Sequence, residues 1–480
     1  MSNFADFLCD RLKIQKIGFL KNWKLKYNDI EMTKRARTIL FSICAILFLL
    51  IAPSVVLYSQ GYRIDFGSKR IVQIGGFYFK VWPKNAQVLI DGKLKNKTDV
   101  LFGSVFIKNL LPRKYEIEVK KEGYLPWKKT LEVQEKMVTE AKNVVLIPEN
   151  PKFTILEDGV KNYYFSPDGK NLILESEEEI KLLKIEREIK EYQIENANEE
   201  EIESIIFSPD SQKILFKIGS KFKLLDLTKT PLSLIDLDFL EVEIKEISFH
   251  PGDLTKIFFI KDEELFWADL EKKEVLPLVE DILTCKILNK EIYCLDNSGF
   301  LFKTDFAQKI KERINNVSFE IKELIDYQLE IFGNFIFLKE KEQLFWFNLE
   351  NSSFEKFLEP IKSLKISPDF GKIVYFNNHE IFVFFLKDSF DQPLKKDGEK
   401  VFLTRFSEKI GDLLWYTAHY LIFNTDSKIK IVEIDDRDGI NIYELPESIS
   451  QDSKIFFNEI DKKIYLLNEG GLFVSEKLIP

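Results

Sequence analysis

The chain is poor in histidine, with three in 480 residues: His250, His379 and His419. They lie far apart and no two share metal-ligand spacing, which argues against a zinc site or a histidine-based catalytic centre. Its four cysteines, Cys9, Cys44, Cys285 and Cys294, are too few for a disulfide-rich scaffold. Basic residues are in deficit, 69 Lys and Arg against 78 Asp and Glu, and a net charge of −9 speaks against nucleic acid as a partner. No G-x-S-x-G nucleophile elbow occurs, and no catalytic, metal or cofactor residue stands out. Long apolar runs are absent but for one.

That run lies between Arg37 and Arg63, a stretch without charge, and its core reads ILFSICAILFLLIAPSVVLY from Ile39 to Tyr58. About 20 apolar residues suffice to cross a bilayer as a helix, so a transmembrane helix is expected over 38–60. A cleaved signal peptide would have a shorter apolar core and a small-x-small site after it. Pro53 is positioned to kink the helix, while Tyr58 and Tyr62 stand where interfacial aromatics belong. Cys44 lies too deep in the run, without small residues before it, to be a lipoprotein site. Lys34, Arg35 and Arg37 precede the helix, with further Lys and Arg upstream, so the flanking charge places the N-terminus in the cytoplasm and the rest outside. Residues 1–37 then form a basic cytoplasmic tail. Within it, Phe4, Phe7, Leu8, Leu12, Phe19 and Leu20 have loosely helical spacing, while Met32 offers an alternative start.

What is abundant is material for strands: 45% hydrophobic residues, with 43 Phe and 16 Tyr. The length calls for more than one domain. After a linker over 61–74, residues 75–148 alternate apolar and polar, with turns at Pro83–Ala86 and Asp91-Gly92, the latter a strong hairpin signal. Strands VFIKNL, KYEIEVKKEGY, KKTLEVQ and AKNVVLIP follow, which suggests a small antiparallel sandwich. Pro83, Ala86, Val88, Asp91-Gly92, Thr98, Leu110, Tyr115, Gly123-Tyr124 and Trp127 resemble the PEGA domain, a β-sandwich common in bacterial envelope proteins. The chain departs from that family at Pro-Lys-Asn-Ala (83–86), at Asp99 and at Arg113-Lys114. Trp82, Tyr124 and Trp127 are expected in the core or against the membrane-proximal face; the alternative is a glycan platform.

Beyond the linker IPENPK (147–152), residues 152–480 repeat. YYFSPDGKNLIL, IIFSPDSQKILF, ISFHPGDLTKIFFI and LKISPDFGKIVYF begin at Tyr163, Ile205, Ile247 and Leu364, with weaker copies between and after. A period of about 40–45 residues with several short strands marks β-propeller blades, since one sheet cannot bury both faces alone. The S-P-D-G turns resemble the WD40-like repeats of TolB-type propellers. Pro167 fixes φ, Asp168 bonds back to the backbone and Gly169 takes the left-handed position. Eight units can be counted, or seven if the weak fifth is discounted, and one unit before Leu413 is overlong. KFTIL (152–156) is available to complete the last sheet and close the ring. Acidic runs at 175–179 and 196–203 read as solvated loops.

If Asn289-Lys290 form a two-residue hairpin loop, Cys285 and Cys294 face each other in a non-hydrogen-bonded pair, within disulfide range. The alternative is two small buried apolar residues.

The fold class expected is therefore all-β: an N-terminal transmembrane helix, a PEGA-like sandwich, then a β-propeller. The expected function is a single-pass, extracytoplasmic binding or scaffolding protein, with no cofactor. Its partners would be the membrane and an envelope protein or cell-wall polymer. A propeller-channel hydrolase or lyase, and a sensor signalling through the short tail, are the alternatives.

Overall fold

The computed structural model describes residues 33–479, apart from 68, 178, 187–188, 195–201, 220, 241–242, 289–290 and 307–310. The readings of the tail before Thr33, including Cys9 and Met32, lie outside the described residues. The chain divides into two compact units, residues 1–73 and 74–480.

In the first unit, helix α1 spans Lys34–Ser59 and buries none of its residues. Thr33 caps it, its hydroxyl accepting the Ala36 N–H at 3.3 Å. Within the helix the Ser54 hydroxyl donates to the Leu50 carbonyl at 2.7 Å, so that hydroxyl is satisfied without solvent. Apolar on all sides, this helix is long enough to cross a membrane. Cys44 lies on it, exposed and unpaired. The stretch read as a linker folds as a hairpin, β1 (Tyr62–Asp65) against β2 (Arg70–Gln73). Arg63 covers the Tyr58 ring at 3.4 Å and donates to the Tyr58 and Tyr62 carbonyls at 2.8 Å, a cation at the helix C-terminus.

The second unit opens with a β-sandwich. One sheet pairs β3 (Gly75–Trp82) with β6 (Ser104–Leu110) and β9 (Val138–Val145). The other runs β5 (Lys93–Lys97), β4 (Gln87–Ile90), β7 (Lys114–Lys120), β8 (Trp127–Glu132). Period-2 alternation turns Phe77, Phe79, Val88, Ile117, Val119 and Leu131 into a common core. Asp91 and Gly92 both have positive φ, 51° and 71°, as the hairpin signal predicts. One pairing differs from the all-antiparallel expectation: β9 lies parallel to β3. After β8 the chain crosses to the other sheet at the end where β3 begins, the Gly76 N–H donating to the Met137 carbonyl at 3.1 Å. Starting from that end, β9 can only run alongside β3 in the same direction.

Among the described residues from Phe153 to Ser475 the chain forms eight four-stranded antiparallel sheets. Seven are continuous in sequence, with inner strands Val160–Phe165, Ile202–Phe207, Glu246–Phe249, Ile282–Leu288, Tyr327–Phe332, Ser363–Ile366 and Leu413–Thr417. The eighth joins Lys454–Asn458, Lys463–Asn468 and Gly471–Ser475 to β10 (Phe153–Asp158), so the first strand of the region completes the last sheet. Burial differs between strands of a sheet. The second strands Lys372–Phe376 and Tyr420–Asn424 are buried at every residue, the inner strand Ser363–Ile366 is partly exposed throughout, and the outer strand Lys190–Gln193 is wholly exposed. Sheets stacked face to face around an axis, with a water-accessible inner wall, produce this gradation.

The S-P-D turns are built alike. The Ser166, Ser208 and Ser367 hydroxyls donate to Asp168, Asp210 and Asp369 at 2.5–2.6 Å. Each serine oxygen also accepts an N–H five residues on, at 2.8–2.9 Å. The aspartates accept from Lys170, Gln212 and Gly371 N–H groups, as expected. The left-handed position is Gly169 in the first copy but Ser211 and Phe370 in the others. Glu175, the first of the acidic run 175–179, is a correction to the solvated reading: it is buried, accepting from the Tyr164 hydroxyl and the Ile202 N–H at 3.2 Å. Cys285 and Cys294 form a disulfide, directly opposed with Cα atoms 4.2 Å apart.

Candidate functional site

Two arrangements concentrate polar chemistry in the second unit: the seam between sandwich and ring, and the inner wall of the ring.

At the seam, strand β8 carries Trp127, Lys129 and Leu131 on one phase of its alternation, all buried. A lysine on the buried phase demands a partner. Lys129 Nζ lies 2.7 Å from Glu433 Oε1, with side-chain exposures of 0% and 2%. It donates to the carbonyls of Asp435, Arg437 and Gly439, each at 2.8 Å. Trp127 Nε1 donates to the other Glu433 oxygen at 2.7 Å. Burial pushes the Glu433 carboxyl up, against the pull of Lys129. Beside this pair, Arg437 Nη1 donates to the Glu140 carbonyl at 2.8 Å, and Gln392 accepts the Glu140 N–H at 3.0 Å. The Val145 N–H donates to the Tyr420 hydroxyl at 3.1 Å. The sandwich is thus gripped by loop 386–399 of the sixth sheet and loop 434–441 of the seventh. Loop 386–399 is the excess that makes the unit before Leu413 overlong. The cavity left in the seam is about 50 Å³, room for a few waters and no substrate.

The inner wall is held by bonds from one sheet to the next. Phe165 stacks on Phe456 at 4.3 Å, Trp415 Nε1 donates to the Lys365 carbonyl at 3.0 Å, and Lys454 Nζ donates to Asn162 at 2.9 Å. Lys286 pairs with Glu330 at 2.8 Å. Beside that pair lies a cavity of about 490 Å³, lined by Glu246, Ser248, Thr284, Lys286, Gln328 and Glu330 among others. Burial pushes the Glu246 carboxyl up to about 7, opposed by a bond from the Thr284 hydroxyl. A half-buried carboxyl titrating near neutrality can bind or exchange a proton.

The residues singled out in the sequence are dispersed. His250 replaces serine in its turn, Nδ1 accepting the Gly252 and Asp253 N–H groups at 3.0 and 2.9 Å. His379 Nδ1 lies 3.3 Å from the Glu408 carbonyl. His419 borders the seam, and burial pushes its imidazole down to about 4. Trp127 belongs to the sandwich core, while Trp82 and Tyr124, edge to face at 5.9 Å, pack in or beside the two clusters that meet at the seam. The sequence reading missed Lys129, Glu433 and Glu246. Lys129 had a signal, a charge on the apolar phase of a strand. Its partner lies some three hundred residues away, beyond any local pattern.

These sheets define the region from Phe153 to Ser475 as a β-propeller, an assignment that rests on strand topology. No family model and no curated protein matches the chain. Solved structures match it in part. The computationally designed Ika8 protein is 11% identical, covers 67% of this chain and 97% of its own, and has a TM-score of 0.45. BamB from Moraxella catarrhalis is 13% identical over 68% of this chain and 98% of its own, at 0.42. The β-propeller domain of Myceliophteria thermophila Cps50 (Swd1) is 12% identical over 68% and 99%, at 0.41. At such values the likeness assigns no function.

Proposed function

We propose that the chain is a membrane-anchored binding scaffold: α1 holds it in a membrane with the N-terminus cytoplasmic, and the propeller serves outside as a platform for an envelope protein or wall polymer. The sandwich acts as a PEGA-like spacer, and the eight sheets act as eight blades. The observation that carries this reading is the buried Lys129–Glu433 lock, which makes spacer and platform one rigid body. A ring whose neighbouring sheets are tied along the inner wall by contacts such as Lys286–Glu330 and Lys454–Asn162 suits recognition better than turnover.

Alkaline extraction tests the anchor: the full chain is expected to stay in the membrane pellet, and its release overturns that part. Protease added to intact cells is expected to digest the region after α1; protection reverses the topology. Cross-linking of the full-length protein in its own membranes is expected to capture an envelope protein or polymer.

Glu246 and its cavity favour a second reading, a channel enzyme with a carboxyl as general acid or base. Turnover of isolated envelope polymer that is abolished by Glu246→Gln would replace the scaffold reading.

A further inference from the structure

Asp99, which breaks the sandwich's family resemblance, builds a loop that carries three consecutive exposed apolar residues. Its Oδ1 accepts the N–H groups of Leu101 and Phe102 at 2.9 and 2.6 Å, and its Oδ2 accepts the N–H and hydroxyl of Ser104 at 2.7 and 2.6 Å. Thr98 anchors the loop base by reciprocal bonds with Ala86, both 2.9 Å. At the other end the Val81 N–H donates to the Gly103 carbonyl at 2.8 Å, and a Cβ at Gly103 would strike the Val81 carbonyl. Lys84 Nζ steadies the loop from outside, donating to the Leu101 carbonyl at 2.7 Å, and three apolar side chains are held outward: Val100, Leu101 and Phe102 are each 73% exposed. Three consecutive exposed apolar residues on a fixed loop call for an apolar counterpart.

The surroundings say which. From residue 80 to 104 the chain has five lysines, Lys80, Lys84, Lys93, Lys95 and Lys97, and two acids. Both acids are occupied: Asp91 by Arg113 at 2.6 Å, and Asp99 by the loop itself. Strand β5, with Lys93, Leu94, Lys95 and Lys97, is exposed at every residue. Beside Phe102 lies a cavity of about 310 Å³, lined by Lys80, Trp82, Lys84, Phe102, Lys142 and Val144 among others. An apolar tip with Lys80 and Lys84 beside it and an exposed lysine-bearing strand leading into it matches the boundary of a bilayer, where acyl chains lie beneath anionic phosphates. The net charge of −9 does not oppose this, because at physiological salt a charge acts over roughly 8–10 Å and the local lysines govern.

We propose that loop 99–103 and its flanking lysines form a second membrane contact, inserting Val100, Leu101 and Phe102 into the surface of an anionic bilayer. It rests on the anchored reading only for which bilayer is met, that of α1.

Residues 74–480 form a compact unit with their own cores, so this fragment can be tested without the helix. It is floated with phosphatidylcholine vesicles, with or without phosphatidylglycerol. Retention is expected on the anionic vesicles and should fall as salt rises. Leu101→Asp with Phe102→Asp should lower it at least about tenfold, and Lys93→Glu with Lys95→Glu and Lys97→Glu by a smaller factor. Leu101→Ser with Phe102→Ser provides a milder pair, and an unchanged unfolding temperature confirms the fold of each variant. No retention on anionic vesicles, or full retention by both loop variants, overturns the proposal. So does a fragment that ignores vesicles and self-associates through Phe102. Because the fragment lacks α1, failure here leaves alkaline extraction of the full chain unchanged, and the two readings fail separately.

Discussion

The first and fourth sheets of the propeller and its sixth and seventh share one strand order but end differently. In the first and fourth sheets the outer strands, Lys190–Gln193 and Lys311–Arg313, are exposed at every residue. In the sixth and seventh the outer strands Lys400–Arg405 and Ile442–Ser448 alternate buried and exposed. Their approach loops, 386–399 and 434–441, are the ones that grip the sandwich. A repeat whose inner and middle strands are fixed by stacking is free to vary only at its outer edge, and here that freedom serves attachment. A repeat that departs from its period is therefore a place to look for cargo.

The largest way to break this contrast is Lys129→Met, which strands Glu433 as an unpaired buried charge. The cost should be about 3–5 kcal/mol, read as a lowered unfolding temperature. Loop 434–441 should become protease-sensitive while the first five sheets stay protected. Adding Glu433→Gln should recover most of the loss, since the stranded charge is then gone.

His419 sharpens the contrast through pH. Its folded pKa of about 4 lies below the ordinary 6.5. Its contribution is therefore fully present above pH 6.5 and is lost as pH falls toward 4, by about 2–3 kcal/mol after allowing for partial exposure. His419→Gln should flatten that limb of the stability curve. Glu246, on the third sheet, titrates with the opposite sign. Its folded pKa of about 7 lies above 4.5, so its penalty is absent below pH 4.5 and complete above 7. Glu246→Gln should stabilise the protein by about 2 kcal/mol at pH 8 and leave it unchanged at pH 4.

The smallest effect provides the control. Ser208→Ala on the second sheet removes two turn bonds, and Ser367→Ala on the sixth removes the same two and a longer one from the Gly371 N–H at 3.2 Å, each substitution costing about 1–2 kcal/mol. Losses that agree to within about 1 kcal/mol, the worth of that extra bond, would show that docking leaves the turns alone; a larger excess at Ser367 would show that the gripping half is coupled to its cargo.

Much of this was legible in the chain because it is local. The Ser-Pro-Asp turns, the Asp91-Gly92 hairpin and the facing of Cys285 and Cys294 all follow from spacing within a dozen residues. The completion of the last sheet by residues near 152–156 followed from counting strands. Long-range facts were not legible. Glu433 has no local mark of its pairing with Lys129, and β9 runs parallel to β3 only because of where the chain crosses between sheets. Glu175 looked solvated because it opens an acidic run, yet its strand carries it inside. Asp99 was visible only as an oddity, since its role depends on the geometry of five backbone positions.

Strand β10 is made early and finds its partner, Gly471–Ser475, only at the far end of the chain. During synthesis the first sheet must therefore wait, one flank uncovered, while the rest of the ring emerges. Such late pairing is slow and leaves sticky edges open to other chains. A chaperone that shields those edges in the interval would favour closure of the ring. A chain cut short by even its final strand would leave the circle unfastened.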